Sequence, residues 1–292
     1  MKSIVEEVKE NIRDMKPVSA NTTRIINLVS TTDYKIGDLL KLIEMDVSLS
    51  TQCLRILNSA AYSLRTPIMS IDRAVSYLGR KVILDLVIQL GFNEIYSVPL
   101  EGYKGEQEAL WEHSLRTAIA SRLLVQSSSH KETADVAYTA GLLHDIGKII
   151  ISHFLAKQPS DTLKMFDVGG EIDFTTMESQ MLETNHAEVG YMMAVHWKLP
   201  DLLQMVIRYH HEPSKAPTEF KRICFAVHLG DILAMMGGYG TGCDTLAYRV
   251  DPEFKMYFNS EMSNLEKLLI DIDTEFREVL HKTLLAQENT DV

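Results

Sequence analysis

A chain of 292 residues, 46% hydrophobic and 24% charged, has ample material for a buried core and no bias towards disorder, collagen or repeat arrays. Its 40 acidic residues against 29 basic ones leave a formal net charge of −11. Such a surface repels phosphate backbones, which argues against general nucleic-acid binding.

Taken in chain order, the pattern is helical throughout, with no run of alternating strand residues. Residues 2–15 read as a first helix closed by Pro17, and the segment MKSIVEEVKENIRDM is charged and amphipathic without an apolar signal core. Asn21 or Thr22 is the expected cap of a second helix, TRIINLVS. Lys35–Ile43 and Ser48–Leu57 follow, the latter running on towards Tyr62. After Pro67 a helix starts at Ser70-Ile71-Asp72 and reaches Leu78, with Gly79 as its stop signal. Arg80–Phe92 is apolar on nearly all sides and so should be central. Its stretch VILDLVIQLGF is interrupted by Asp85 and Gln89 and is too short to span a bilayer.

The polar segment VPLEGYKG, Val98–Gly105, is the expected boundary between two lobes. Beyond it come Glu106–Gln126 and Glu132–Leu143, the latter continuing into HDIGKIIISHFL. A polar connection at Lys157–Asp161 and a turn at Gly169-Gly170 lead to Phe174–Glu183. Asn185 reads as an N-cap with Glu188 as its capping-box partner. Helices His186–Trp197, Asp201–His211 and Glu219–Met236 follow, then a loose loop, MGGYGTGCD, and a last helix, Ser263–Leu285. The implied units are 1–100, 101–240 and a C-terminal extension, 241–292, packing on the second lobe. Cys53, Cys224 and Cys243 are odd in number and scattered, which fits a reducing cytoplasm better than a disulfide framework. The expectation is a cytoplasmic, all-α protein with no membrane segment.

Several separate motifs then fall in a recognisable order. They are IEMDVSLS, LNSAAY at Leu57–Tyr62, AVSYLG at Ala74–Gly79, WEHS at Trp111, GLLHDIGK at Gly141–Lys148, HAEVG at His186, HWKLP at His196 and YHHEP at Tyr209. Together they closely resemble the HDOD family over roughly residues 10–235. The resemblance implies an all-α, two-lobed fold whose second lobe is an HD-domain-like helical bundle related to metal-dependent phosphohydrolases. It also implies bacterial signalling, often without demonstrated catalysis, and hence a signalling protein partner.

Within that resemblance His113, His144, Asp145, His186, His210, His211 and Asp231 occupy the order of the HD-type metal ligands. Helices packed side by side can aim such groups at one internal point. Imidazoles and carboxylates without nearby Cys suit one or two divalent transition ions, Fe first and otherwise Mn, Zn or Ni. Neighbouring helical residues diverge by about 100°. Asp145 can therefore bridge two ions while His144 binds one, the role related enzymes imply, and His210-His211 can divide between them. His186 at a helix N-terminus is kept neutral by the macrodipole. Each residue also has a plainer reading: His113 as a core histidine, His144-Asp145 as a helix-tying pair, His210-His211 as a polar helix end, Asp231 as a solvent-facing carboxylate. His228, three residues before Asp231 on the same face, stays ambiguous. His130, His153, His196 and His281 lie outside the pattern. Lys148 is either a surface lysine or, as in related phosphohydrolases, a phosphate contact acting with Asp145 in catalysis. Arg208 or Arg116 would assist it.

The pattern also departs from its relatives. No Gly-Tyr-Pro loop follows His211, where the chain reads EPSKAPTEFKRI, and Ala109 stands where some trinuclear relatives carry a Glu ligand. A third metal and cyclic-di-GMP hydrolysis are therefore not expected. Within residues 10–98 there is no histidine, and Asp46, Asn58 and Ser59 read as caps and turn hydrogen bonds. The first lobe should be structural and partner-binding. Three functions stay open: a regulatory protein with a metal centre, a phosphohydrolase acting on a nucleotide or other phosphoester, and an interaction module with an empty ligand set.

Overall fold

The computed structural model describes all residues except 1, 16–17, 32, 60–61, 63–65, 79, 97, 107, 129, 159–172, 246–247, 259–263 and 289–292. Pro17, Gly79 and the Gly169-Gly170 turn lie outside the described residues, as does the side chain of His281. The described residues contain helices and no strand, and none of their helices is long and apolar enough to cross a membrane.

The first six helices are α1 (Ile4–Asp14), α2 (Ala20–Val29), α3 (Ile36–Glu44), α4 (Val47–Leu57), α5 (Ile71–Leu78) and α6 (Arg80–Tyr96). Their starts follow capping chemistry. Ser3 and Glu6 form a full capping box on α1, and Asp46 accepts from the Leu49 amide at the start of α4. The second helix begins earlier than expected, because Ser19 rather than Asn21 or Thr22 supplies the cap to the Thr22 amide. Asn58 ends α4 and pins the following loop, its amide both donating to the Ile68 carbonyl and accepting from the Ile68 N–H at 2.7 Å. The helix thus ends at Leu57, and of the expected run towards Tyr62 residues 60–61 lie outside the described residues.

The rest of the chain supplies α7 (Ala109–Ser127), α8 (Ala134–Leu143), α9 (Lys148–Leu155), α10 (Phe174–Leu182), α11 (His186–His196), α12 (Asp201–Tyr209), α13 (Lys221–Met236), the short α14 (Lys255–Phe258) and the long α15 (Leu265–Glu288). At the centre, α7 packs against α8 on one side and α13 on the other. Glycines permit the close approach. A Cβ on Gly141 of α8 would lie 2.8 Å from Ala118 Cα, and one on Gly230 of α13 would lie 2.8 Å from the Thr117 carbonyl. Any side chain at either position would push the three helices apart, so these glycines set how near the residues beside them come.

The expected boundary, Val98–Gly105, is not a loose connection. Leu100 and Tyr103 are buried, and the Tyr103 hydroxyl donates to Glu178 on α10. Helices α1–α6 also lock onto the rest: Phe92 meets Trp197 edge-on, Tyr96 donates to the Leu142 carbonyl, and Tyr34 donates to Asp135 at 3.1 Å. Finally, α15 lies along α7 and also touches α4, burying Ile272 and Phe276.

Candidate metal centre

Five separate elements bring the seven expected residues to one place. His113 lies in the first turns of α7 and Asp231 in the middle of α13, on helices held close by Gly230. His144 and Asp145 stand at the end of α8 in a turn, 144–147, which interrupts the helix expected to run on from it. That turn fits against the start of α11 only because residue 147 is glycine: a Cβ there would sit 1.9 Å from the His186 carbonyl. His186 opens α11, capped as expected by Asn185, whose side chain accepts from the Glu188 amide. The Glu188 carboxylate instead takes Arg208 Nε at 2.9 Å. His210 and His211 follow the last residue of α12.

All seven side chains are buried, with His211 the least enclosed. Their ligand atoms form two groups, Asp145 with His186, His210 and His211, and His113 with His144 and Asp231, each lying within 4.8 Å of one another. Asp145 joins the two. Its Oδ1 lies 3.5 Å from His186 Nε2 and 3.6 Å from His210 Nε2. Its Oδ2 lies 3.4 Å from His113 Nε2 and 3.3 Å from His144 Nε2. Asp231 Oδ1 lies 3.1 Å from His113 Nε2, while its Oδ2 is 4.0 Å from His211 Nδ1.

Backbone and carboxylate acceptors fix the ring orientations from outside. His113 donates its Nδ1–H to the Tyr239 carbonyl (2.8 Å), His144 to Gly141 (2.7 Å) and His210 to Ile207 (2.8 Å). His186 gives Nδ1–H to Glu178 Oε2 at 2.8 Å, and the same oxygen accepts the His186 backbone N–H. Each of these four rings therefore turns Nε2 inward, the arrangement that metal-ligating histidines use.

The donor set fits a cation. Both oxygens of Asp145 and of Asp231, His210 Nε2 and His211 Nδ1 are buried without a hydrogen-bond partner, a costly state unless something else meets them. Burial drives His210 down to about 4, with His144 and His186 adding to the effect. Burial also holds His211 well below the usual histidine range, helped by His210 and His186. Both rings are thus neutral, as ligation needs. Burial opposes charge on His113 too, but Asp145 and Asp231 outweigh it and raise that ring to about 10. Two carboxylates in one buried pocket call for positive charge, which divalent cations would supply in addition to the Lys148 ammonium.

Lys148 is neither at the surface nor turned towards an open cleft. Its buried ammonium lies 2.7 Å from Asp145 Oδ2 and donates to Asp244 Oδ2 (2.6 Å) and Thr241 Oγ1 (2.9 Å). Two hydrogen bonds and one ion pair thus engage the ammonium from three sides. Arg116 is likewise committed elsewhere: its guanidinium sits 3.2 Å from the Tyr239 ring centre and 3.8 Å from that of Phe276, and donates to Asp273 at 3.0 Å. His228 is not a ligand. It donates Nδ1–H to the His210 carbonyl (2.7 Å) and accepts the Asp251 N–H (2.9 Å), so it braces His210 from behind. His130, His153 and His196 stay outside the cluster.

The loop expected to be loose, Met236–Asp244, proves to be part of the site. Tyr239 holds His113, Thr241 and Asp244 hold Lys148, and the Cys243 amide donates to the Tyr103 carbonyl at 2.8 Å. Tyr248 stacks on His211, with ring centres 4.0 Å apart, and donates to Asp244 Oδ2 at 2.8 Å. Asp244, Tyr248, Tyr103 and Glu178 have no recognisable spacing from the histidines, and the glycines around Asp244 disguise a buried carboxylate as flexible loop. Beside His211 a cleft of about 400 Å3, bordered by Glu212, Ser214, Arg249, Asp251 and Glu253, leads in from the surface.

Comparison with known proteins agrees with this architecture. A curated protein of Treponema pallidum (strain Nichols), itself uncharacterised, is 25% identical over 226 residues, 77% of this chain but 43% of its own length. The chain thus spans less than half of that relative. Among solved structures, a candidate signal transduction protein from Marinobacter aquaeolei VT8 superposes with a TM-score of 0.75 at 18% identity, over 98% of this chain and 62% of that one. A candidate phosphohydrolase from Shewanella amazonensis SB2B gives 0.65 at 20% identity, over 96% and 97%. At such identities both show the fold. The profile of the HDOD domain matches residues 15–213, more than half of the sequence, and the chain belongs to the HDOD family.

Proposed function

We propose that this is a signal-transduction protein whose helices α7–α13 form a metal-binding lobe, with a pair of divalent transition ions bridged by Asp145. One ion would be held by His186, His210 and His211, the other by His113, His144 and Asp231, with iron the first choice and Mn, Zn or Ni the others. The observation that carries this reading is the division of Asp145, each of whose oxygens faces two imidazole Nε2 atoms. Residues 1–100 would supply the surface for a signalling protein partner, and residues 241–292 the extension that packs on the metal lobe. A cytoplasmic setting agrees with the free thiols of Cys53, Cys224 and Cys243.

A second reading is favoured by the cleft at His211: hydrolysis of a nucleotide or other phosphoester. Bound divalent ions would polarise a phosphoryl oxygen there. The chain's own part would be to hold the ester at the cleft and keep the imidazoles neutral. In this arrangement Lys148 cannot contact phosphate without giving up an existing partner.

Elemental analysis of protein purified in mild buffer without chelator tests the metal reading. Fe, Mn, Ni or Zn should exceed one equivalent per chain, about two when both positions fill, and Asp145→Ala should reduce both together because the two positions share it. Metal-free protein that takes up none of these ions would refute the assignment.

A further inference from the structure

Asp244 sits in an environment made for an anion. Three donors converge on its carboxylate: the Lys148 ammonium at 2.6 Å, the Thr241 hydroxyl at 2.8 Å from both oxygens, and the Tyr248 hydroxyl at 2.8 Å. Asp244, Thr241 and Lys148 are each about 1% exposed. The donor set is a cation with two hydroxyls, which suits a tetrahedral oxyanion as well as a carboxylate. It also adjoins the proposed metal centre, because the same ammonium lies 2.7 Å from the bridging Asp145 and Tyr248 is stacked on His211.

The carboxylate reaches this place from a loop rather than from the helical frame. Asp244 belongs to the segment joining α13 to α14, whose path depends on Gly238 at φ +88° and Gly242 at φ +138°, backbone conformations that glycine tolerates and other residues rarely adopt. Lys148, by contrast, opens α9 on the rigid side of the site. The cation of the anion position is thus supplied by the helical frame, while Thr241 and Tyr248 share the connecting segment with the carboxylate they hold.

We propose that Asp244 is an internal stand-in for phosphate: the loop carboxylate occupies the anion subsite beside the metal centre and keeps the centre closed to phosphoesters. Removing that carboxylate exposes Lys148, Thr241 and Tyr248 to an external phosphate. This rests on the metal-centre reading and adds to it a reason why the ligand set coexists with a lysine already held by Asp145, Asp244 and Thr241.

The test is binding of inorganic phosphate to the full-length, metal-loaded chain by calorimetry, with metal content and thermal midpoint measured on the same samples. Asp244→Ala should bind phosphate at least about tenfold more tightly than wild type, a gain of about 1.4 kcal/mol. Adding Lys148→Gln to that variant should abolish the gain. Asp244→Asn, which keeps the side chain's size and removes its charge, should give a smaller gain in the same direction and covers the case in which Asp244→Ala does not fold. Variants that keep their metal and melt normally yet bind phosphate no better than wild type would overturn the proposal. So would a gain that survives loss of Lys148. Failure of the metal reading is seen separately, as wild-type protein without metal.

Discussion

At the scale of single residues, burial decides what each reactive group does. Cys53 and Cys224 are buried in helices, and burial pushes both thiols up to about 12. Neither should react with a thiol reagent in native protein at neutral pH, since the thiolate is the nucleophile. One fast equivalent of label, located on Cys243 by peptide mapping, is expected, with the other two appearing only on unfolding. Rapid native labelling of Cys53 or Cys224 would contradict the packing. The histidines show how far residue identity was legible. All seven expected ligands meet in space, because a motif preserves the order in which helices deliver side chains. The roles of Lys148, Arg116 and His228 were not legible, because a partner such as Asp244, Phe276 or Asp251 lies far away in sequence and contributes no local period.

At the scale of elements, helical periodicity located the helices well, and the errors fall where one contact outweighs local pattern. Ser19 starts α2 because its hydroxyl meets the Thr22 amide, and the turn at 144–147 breaks what reads as one helix because Gly147 lets it touch α11. The docking of α15 on α7 was similarly beyond pattern reading. It depends on Arg116 clamped between Tyr239 and Phe276 and paired with Asp273, and on Arg122 paired with Glu275. Arg277 and Arg116 hydrogen-bond the Asp273 carboxylate and hold it below the usual range. A depressed carboxylate stabilises docking fully above its unfolded value and loses that contribution as pH falls through the folded one. Hydrogen exchange in residues 265–279 should therefore be slowest, relative to intrinsic rates, at neutral pH and lose protection in acid. Arg116→Ala should remove most of that protection at neutral pH. Because Tyr239 also receives the His113 Nδ1–H, the same variant should weaken metal retention. Unchanged exchange in Arg116→Ala would show that apolar contact by Ile272 and Phe276 alone suffices.

At the scale of the whole molecule, charge and architecture point the same way. With a formal charge of −11, the surface offers no long-range attraction to a dianionic ligand, and no Gly-Tyr-Pro loop follows His211. Turnover requires the phosphodiester held in line with its attacking water. Metal-loaded wild-type protein should accordingly show no hydrolysis of cyclic di-GMP above a His144→Ala control, measured by product chromatography. Clear wild-type turnover lost in the variant would promote the hydrolase reading. The placement of α15 has one more consequence, for the order in which the molecule is made. The ligand set is spread from His113 to Asp231, so no ribosome-bound chain can complete it before α13 has emerged. The helix that rests on both α4 and α7 is translated later still. Every newly synthesised molecule therefore passes through a stage in which the whole ligand set has been translated and the helix that rests on α4 and α7 has not.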